Sequence, residues 1–215
     1  MVLLPYCIVL GLNPEMFPKF GVRGAEVHSL AESGLAIAYS QIDKDGISAE
    51  TFQKSALEFH DVVHAIFEQS AVVPFRFPTW LSESELREHV REHSSRYQTF
   101  LQQHREHVQM EVRIRVAPQA ISESATGTEH LRSRAARLRQ MEEGRKSVEQ
   151  ALSGEALAWR LREIPEGLRL FALVERRRIV SFREKLAKFG PALGGSGPWP
   201  TTEFLEGPAK SASER

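Results

Sequence analysis

The stretch Gly194-Gly195-Ser196-Gly197-Pro198-Trp199-Pro200 decides how the rest of the chain is read. Glycines and prolines surround a single tryptophan. Glycine permits positive φ and close backbone approach, while proline fixes φ and removes an N–H donor. No helix runs through such a segment, and no ordinary central strand does. It predicts a bent, rigid exit from the last packed element, with Trp199 tucked onto the core. These glycines lack the strand-then-helix setting of a dinucleotide-binding loop, because no helical pattern follows them.

Working outward, 215 residues suit one large domain or two small ones. Hydrophobic content of 41% and charged content of 26% are those of an ordinary globular protein. Twenty-eight basic residues balance 28 acidic ones, which argues against a dedicated nucleic-acid binder or a polybasic membrane binder. The single cysteine, Cys7, excludes an internal disulfide and a cysteine-rich zinc site, and its apolar surroundings predict a buried, inert thiol. The first residues are apolar but lack a basic start and contain Pro5, so they read as a strand and not a signal peptide. No apolar run approaches the ~20 residues of a membrane helix, and a cytosolic location is expected.

Along the chain, Tyr6–Leu10 predicts a strand buried on both faces. Val27–Leu30 and Leu35–Tyr39, split by Glu32-Ser33-Gly34, predict a hairpin. From Ser48 to Gln69, Phe52, Ala56, Phe59, Val63, Ile66 and Phe67 make one helical stripe with Ser48 as cap. Ala71–Phe77 reads as a strand with Pro74 at an edge, and Arg76 points away from Phe75 and Phe77. Ser82 and Glu85 form a capping box that opens a helix running to about His104. Val108–Val116 alternates cleanly, a strand with one wet face closing a first domain over 1–117. Polar residues around Pro118 mark a linker. A second domain over 118–206 then holds a helix (Thr128–Leu152, with Leu131, Ala135, Leu138 and Met141 spaced for burial), two strands, a helix and the opening stretch. Residues 207–215 read as a disordered tail. The fold class is α+β: two small domains, each a mostly antiparallel sheet packed with helices.

Chemistry is sparse. His60/His64 and His89/His93 stand one helical turn apart, and two imidazoles so spaced are able to share a metal. A metal-dependent enzyme or sensor built on these four is the alternative reading. No H-E-x-x-H pattern, nucleophile elbow or phosphate-binding loop accompanies them, and no cofactor is expected. The arginines between Arg132 and Lys146 read first as a solvated helix face.

Several stretches together resemble the gas vesicle protein GvpF/GvpL family. They are Tyr6-Cys7-Ile8-Val9, Ala71-Val72-Val73-Pro74-Phe75-Arg76-Phe77-Pro78-Thr79, Glu129-His130-Leu131-Arg132-Ser133-Arg134-Ala135, Leu170–Glu175 with Phe182–Leu186, and above all Gly197-Pro198-Trp199-Pro200. Departures are Pro78, where a glycine is usual, and Thr201-Thr202-Glu203-Phe204, which lacks the family's tyrosine. The resemblance implies a second domain that is ferredoxin-like and a non-enzymatic accessory or minor structural protein. Its implied partners are the hydrophobic gas vesicle shell protein and other accessory proteins, with no nucleic acid and no membrane. Its implied place is the gas vesicle within the cytoplasm. Arg76, Phe77, Gly197, Pro198, Trp199 and Pro200 become the structural or partner candidates.

Overall fold

The apolar N-terminal run becomes an inner strand in the computed structural model, which describes residues 2–11, 17–43, 47–116, 127–190 and 193–205. Strand β1 (Val2–Leu10) is longer than its apolar centre suggests, and Pro5 enters it at a break in register between Pro5 and Cys7. A proline lacks the ladder donor, and a bulge is where a strand tolerates it. Leu3 to Val9 are buried without alternation, including Cys7, whose thiol is pushed up in pKa by burial. β2 (Val27–Glu32) and β3 (Leu35–Ile42) form the expected hairpin. β4 is only Val73–Pro74, shorter than the expected strand Ala71–Phe77, although the Phe75 N–H still donates to the Tyr6 carbonyl at 2.9 Å. The sheet order is β2-β3-β1-β4, antiparallel throughout.

Helix α1 (Phe52–Gln69) buries Phe59, Val63, Ile66 and Phe67 as spaced, joined by Ser55 and Val62, whereas Phe52 stays exposed. Ser48 is not its cap; its N–H donates to Thr51 Oγ1 at 3.0 Å and the helix begins at Phe52. Helix α2 (Glu83–Gln103) carries the full capping box, with the Ser82 N–H donating to the Glu85 carboxylate at 2.7 Å. Tyr6 is fully buried; its hydroxyl donates to Ser40 Oγ at 2.9 Å and accepts from the Val22 N–H at 3.0 Å. An unpaired phenol at that depth is costly, and both its partners come from neighbouring loop and strand.

The chain divides into two compact units: Met1–Glu106 with Pro200–Thr202, and His107–Trp199 with Glu203–Arg215. The boundary therefore falls before the alternating strand, not after it. β5 (His107–Arg115) pairs with β7 (Gly167–Glu175) and β8 (Leu193–Trp199), so it is central to the second sheet. Its polar face is not wet throughout either: Gln109 and Glu111 are buried, while Arg113 and Arg115 are exposed. Alternation identifies a strand but not the sheet it joins. The expected linker 117–126 and tail 207–215 lie outside the described residues.

The second unit adds α3 (Gly127–Ala151), β6 (Ala156–Ile164) and α4 (Ile179–Ala187). Its sheet order is β6-β7-β5-β8 and the chain order is β5-α3-β6-β7-α4-β8, the split βαββαβ of ferredoxin-like folds. The first sheet has the same ranking of neighbours, but among the described residues between β1 and β2 a 3₁₀ turn at Val22–Gly24 stands in place of a crossover α-helix. The two halves thus share a sheet plan without sharing sequence. On α3 the expected stripe is wrong. Met141, Val148 and Leu152 are buried, but Leu131 and Leu138 are 69% and 46% exposed. The helix packs on the sheet through its C-terminal half, and among the described residues its first turns stay exposed.

Candidate functional site

Among the described residues β8 is an edge strand, bonded to β5 alone. Its register slips where Gln109 faces Trp199 and Glu111 faces Ser196, so Gly197 and Pro198 stand against Met110 alone, a bulge. Gly197 has φ +114°, and a Cβ there would lie 2.9 Å from the Gln109 carbonyl oxygen and 3.1 Å from Met110 Sδ. Gly195 serves a different need. A Cβ on it would meet Leu186 Cδ2 at 2.5 Å, because α4 lies close against the strand. The bent, rigid stretch is therefore a bulged edge strand rather than an exit loop.

Trp199 is half-buried, not tucked into the core, and its Nε1 donates to Ser196 Oγ at 3.3 Å. Trp199→Ala is accordingly expected to cost about 2 kcal/mol, below the ~3–5 kcal/mol of a fully buried aromatic, as read by the urea midpoint. Beside it, the Arg183 guanidinium donates to the Gly197 carbonyl at 2.6 Å. Between α4 and β8 runs an open groove of about 330 Å³, lined by Met110, Leu186, Ala187, Leu193, Gly195 and Gly197 among others. An edge strand beside an apolar groove is the geometry that accepts an added strand.

The other face of this sheet holds an ionic cluster. Glu111, 4% exposed, accepts from Arg169 Nε at 2.9 Å and Nη2 at 2.7 Å, and from Arg113 Nε at 2.5 Å. Burial alone would push the Glu111 carboxyl up, but the two guanidiniums outweigh it and hold it below its ordinary range. Next to it, Gln109 Oε1 accepts from the Glu203 N–H at 3.1 Å, and both Glu203 carboxylate oxygens accept from Arg162 Nη2, each at 2.9 Å. Arg160 lies 5.8 Å from the Phe204 ring centroid. The segment after β8 is thereby pinned across the sheet. Sequence reading missed this cluster, because Glu111 and Arg169 are far apart in the chain and each looks like a wet-face residue.

The histidine pairs do meet as pairs. His60 and His64 have ring centroids 5.9 Å apart, and those of His89 and His93 are 4.7 Å apart. His89 Nε2 is 3.0 Å from the Tyr97 hydroxyl, and His93 Nδ1 is 2.8 Å from the His89 carbonyl. Burial and the neighbouring His93 lower the His89 pKa. Among the described residues no three His, Cys, Asp or Glu side chains gather to hold a metal ion. Arg76 is exposed, and its carbonyl accepts from Thr79 Oγ1 at 2.5 Å. Phe77 packs on α1, 5.3 Å from the Phe52 ring and 5.2 Å from that of Phe59. Arg76 and Phe77 belong to the first unit, whereas Gly197, Pro198 and Trp199 belong to the second. Among the described residues no helix is long and apolar enough to cross a membrane.

The sequence profile of the family described as "Gas vesicle synthesis protein GvpL/GvpF" matches residues 3–168, ending before β8. The fold is similar to that of the gas vesicle protein GvpF from Anabaena sp. PCC7120, at 14% identity and a TM-score of 0.79 over 97% of each chain. It is also similar to GvpF from Microcystis aeruginosa, at 13% identity and a TM-score of 0.77, covering 95% of this chain and 99% of that one. At such identities the likeness is one of fold. No curated protein matches the sequence.

Proposed function

The chain belongs to the GvpL/GvpF family and takes part in gas vesicle formation, and from that premise we propose that it is a non-enzymatic assembly factor binding the vesicle's shell protein or another accessory protein. The family match carries this reading. The surface we assign to the contact is the outer edge of β8 with the groove beneath α4. A strongly apolar shell subunit aggregates in water unless its exposed faces are covered. An edge strand offers unpaired backbone groups to an extended segment, and the adjoining groove takes its alternate side chains. Glycines at 195 and 197 keep side chains out of that approach. On this reading the protein works at the gas vesicle inside the cytoplasm, with neither nucleic acid nor membrane as partner.

Co-expression with the gas vesicle gene set, followed by affinity capture of this chain, tests the proposal. Shell or accessory protein is expected in the captured fraction. Ala187→Arg, which places a long cation at the exposed helical wall of the groove, is expected to reduce recovery about tenfold or more while leaving the fold intact. Absence of any gas vesicle protein from the wild-type fraction would overturn the reading, and undiminished recovery with Ala187→Arg would overturn the assignment to this groove.

A further inference from the structure

The bare N-terminal turns of α3 present Leu131, Ala135 and Leu138 at i, i+4 and i+7, all exposed. That spacing places them in one stripe about 10 Å long. Met141 and Val148 are buried where the helix packs, and the stripe adjoins that packed part at Leu138, which borders a cleft with Arg134, Met141, Ile164 and Pro165. Arg132 and Arg139 flank the stripe on one side and Arg134 on the other, by the 3.6-residue period. None of the three makes a hydrogen bond or ion pair among the described residues, in contrast to Arg137, which is tied to the Pro165 carbonyl, and Arg145, which bridges Glu142 and Glu149. The helix therefore pairs its charges where it packs and leaves them open where it does not.

We propose that this half of α3 is a docking face for an acidic amphipathic helix of a partner protein. The inference rests on the proposed assembly role only for where the partner is found; the surface is distinct from the β8 groove. An apolar seam of i, i+4, i+7 residues is the pattern by which one helix packs along another. Flanking arginines select a partner with carboxylates beside its own seam. A second copy of the chain fits poorly. Antiparallel pairing would set Leu131 against Leu138 but bring the three open arginines against their own copies. A nucleic acid would meet the arginines with its phosphates and leave both leucines in water.

The full-length protein is titrated with a labelled, roughly 18-residue helical peptide bearing leucines at i, i+4, i+7 and i+11 with flanking glutamates, and with a scrambled peptide of the same composition. The ordered peptide is expected to bind at least about tenfold tighter than the scramble, corresponding to about 1.4 kcal/mol. Leu131→Gln/Leu138→Gln is expected to erase that preference, and Arg132→Gln/Arg134→Gln/Arg139→Gln to weaken binding and flatten its salt dependence. All five positions are at the surface, so the variants keep the fold, which circular dichroism checks. Equal binding of ordered and scrambled peptides, an unchanged preference in the leucine variant, or tighter binding of a DNA duplex than of the ordered peptide would overturn the proposal. Because purified protein and synthetic peptide suffice, the result is independent of whether shell protein is captured.

Discussion

Gly197→Val is expected to lower the stability of the second unit by about 3 kcal/mol, through backbone strain and overpacking together. The residue sits at φ +114°, where a β-branched side chain is strained whatever space surrounds it. Here there is also no space. The position of its Cβ is 2.9 Å from the Gln109 carbonyl oxygen, a backbone atom held in β5 at the centre of the sheet. Neither partner is able to give without opening the β5–β8 ladder. Gly194→Ala is the matched control, since a Cβ there meets only Arg113 Cβ, at an ordinary 3.7 Å. Its expected cost stays within about 0.5–1 kcal/mol of zero. Urea unfolding of the two variants decides the matter; equal midpoints would remove the argument that the bulge dictates the glycine.

Glu111→Ala is the second large effect, at about 2–3 kcal/mol. The mutation removes a buried carboxylate that satisfies two guanidiniums, but Arg169 and Arg113 are 30% and 48% exposed and regain some solvation. The cost therefore falls below that of stranding fully buried charges. The same carboxylate gives stability a pH dependence. Its folded pKa is depressed, so its contribution is complete above its unfolded value, near pH 4–5, and is lost as pH falls through the lower folded value. Wild-type and Glu111→Gln stabilities are expected to differ by a constant amount above about pH 5 and to converge in more acidic solution. A difference that grows on acidification would contradict the sign of the shift.

How far the sequence reaches is visible in particular residues. Ser82 and Glu85 predict a helix start because a capping box is wholly local, and the structure has it. The run at Tyr6–Leu10 predicts a doubly covered strand, because only burial on both faces accounts for an unbroken apolar stretch. β5 was legible as a strand but not as a member of the second sheet, because its partners Gly167–Glu175 and Leu193–Trp199 are distant and pairing leaves no mark in its own pattern. Leu131 and Leu138 look identical to core residues in the sequence; only the point at which α3 leaves the sheet separates them from Met141. Glycine and proline at 197 and 198 announced an unusual backbone, but not that it would be a bulge in an edge strand. The Glu111 cluster lay beyond reading, because an acid paired across strands looks the same in sequence as one in water.

The chain is a two-unit α+β member of the GvpL/GvpF family with a role in gas vesicle formation, and the contact role proposed for it requires that vesicles fail without it. The most direct measurement is a count of vesicles by electron microscopy in cells carrying the complete gas vesicle gene set, the set without this chain, and the set with it restored. Loss or marked depletion of vesicles without the chain is the expected result, with recovery on its return and poor recovery with Ala187→Arg. Normal vesicle numbers in its absence would contradict the account.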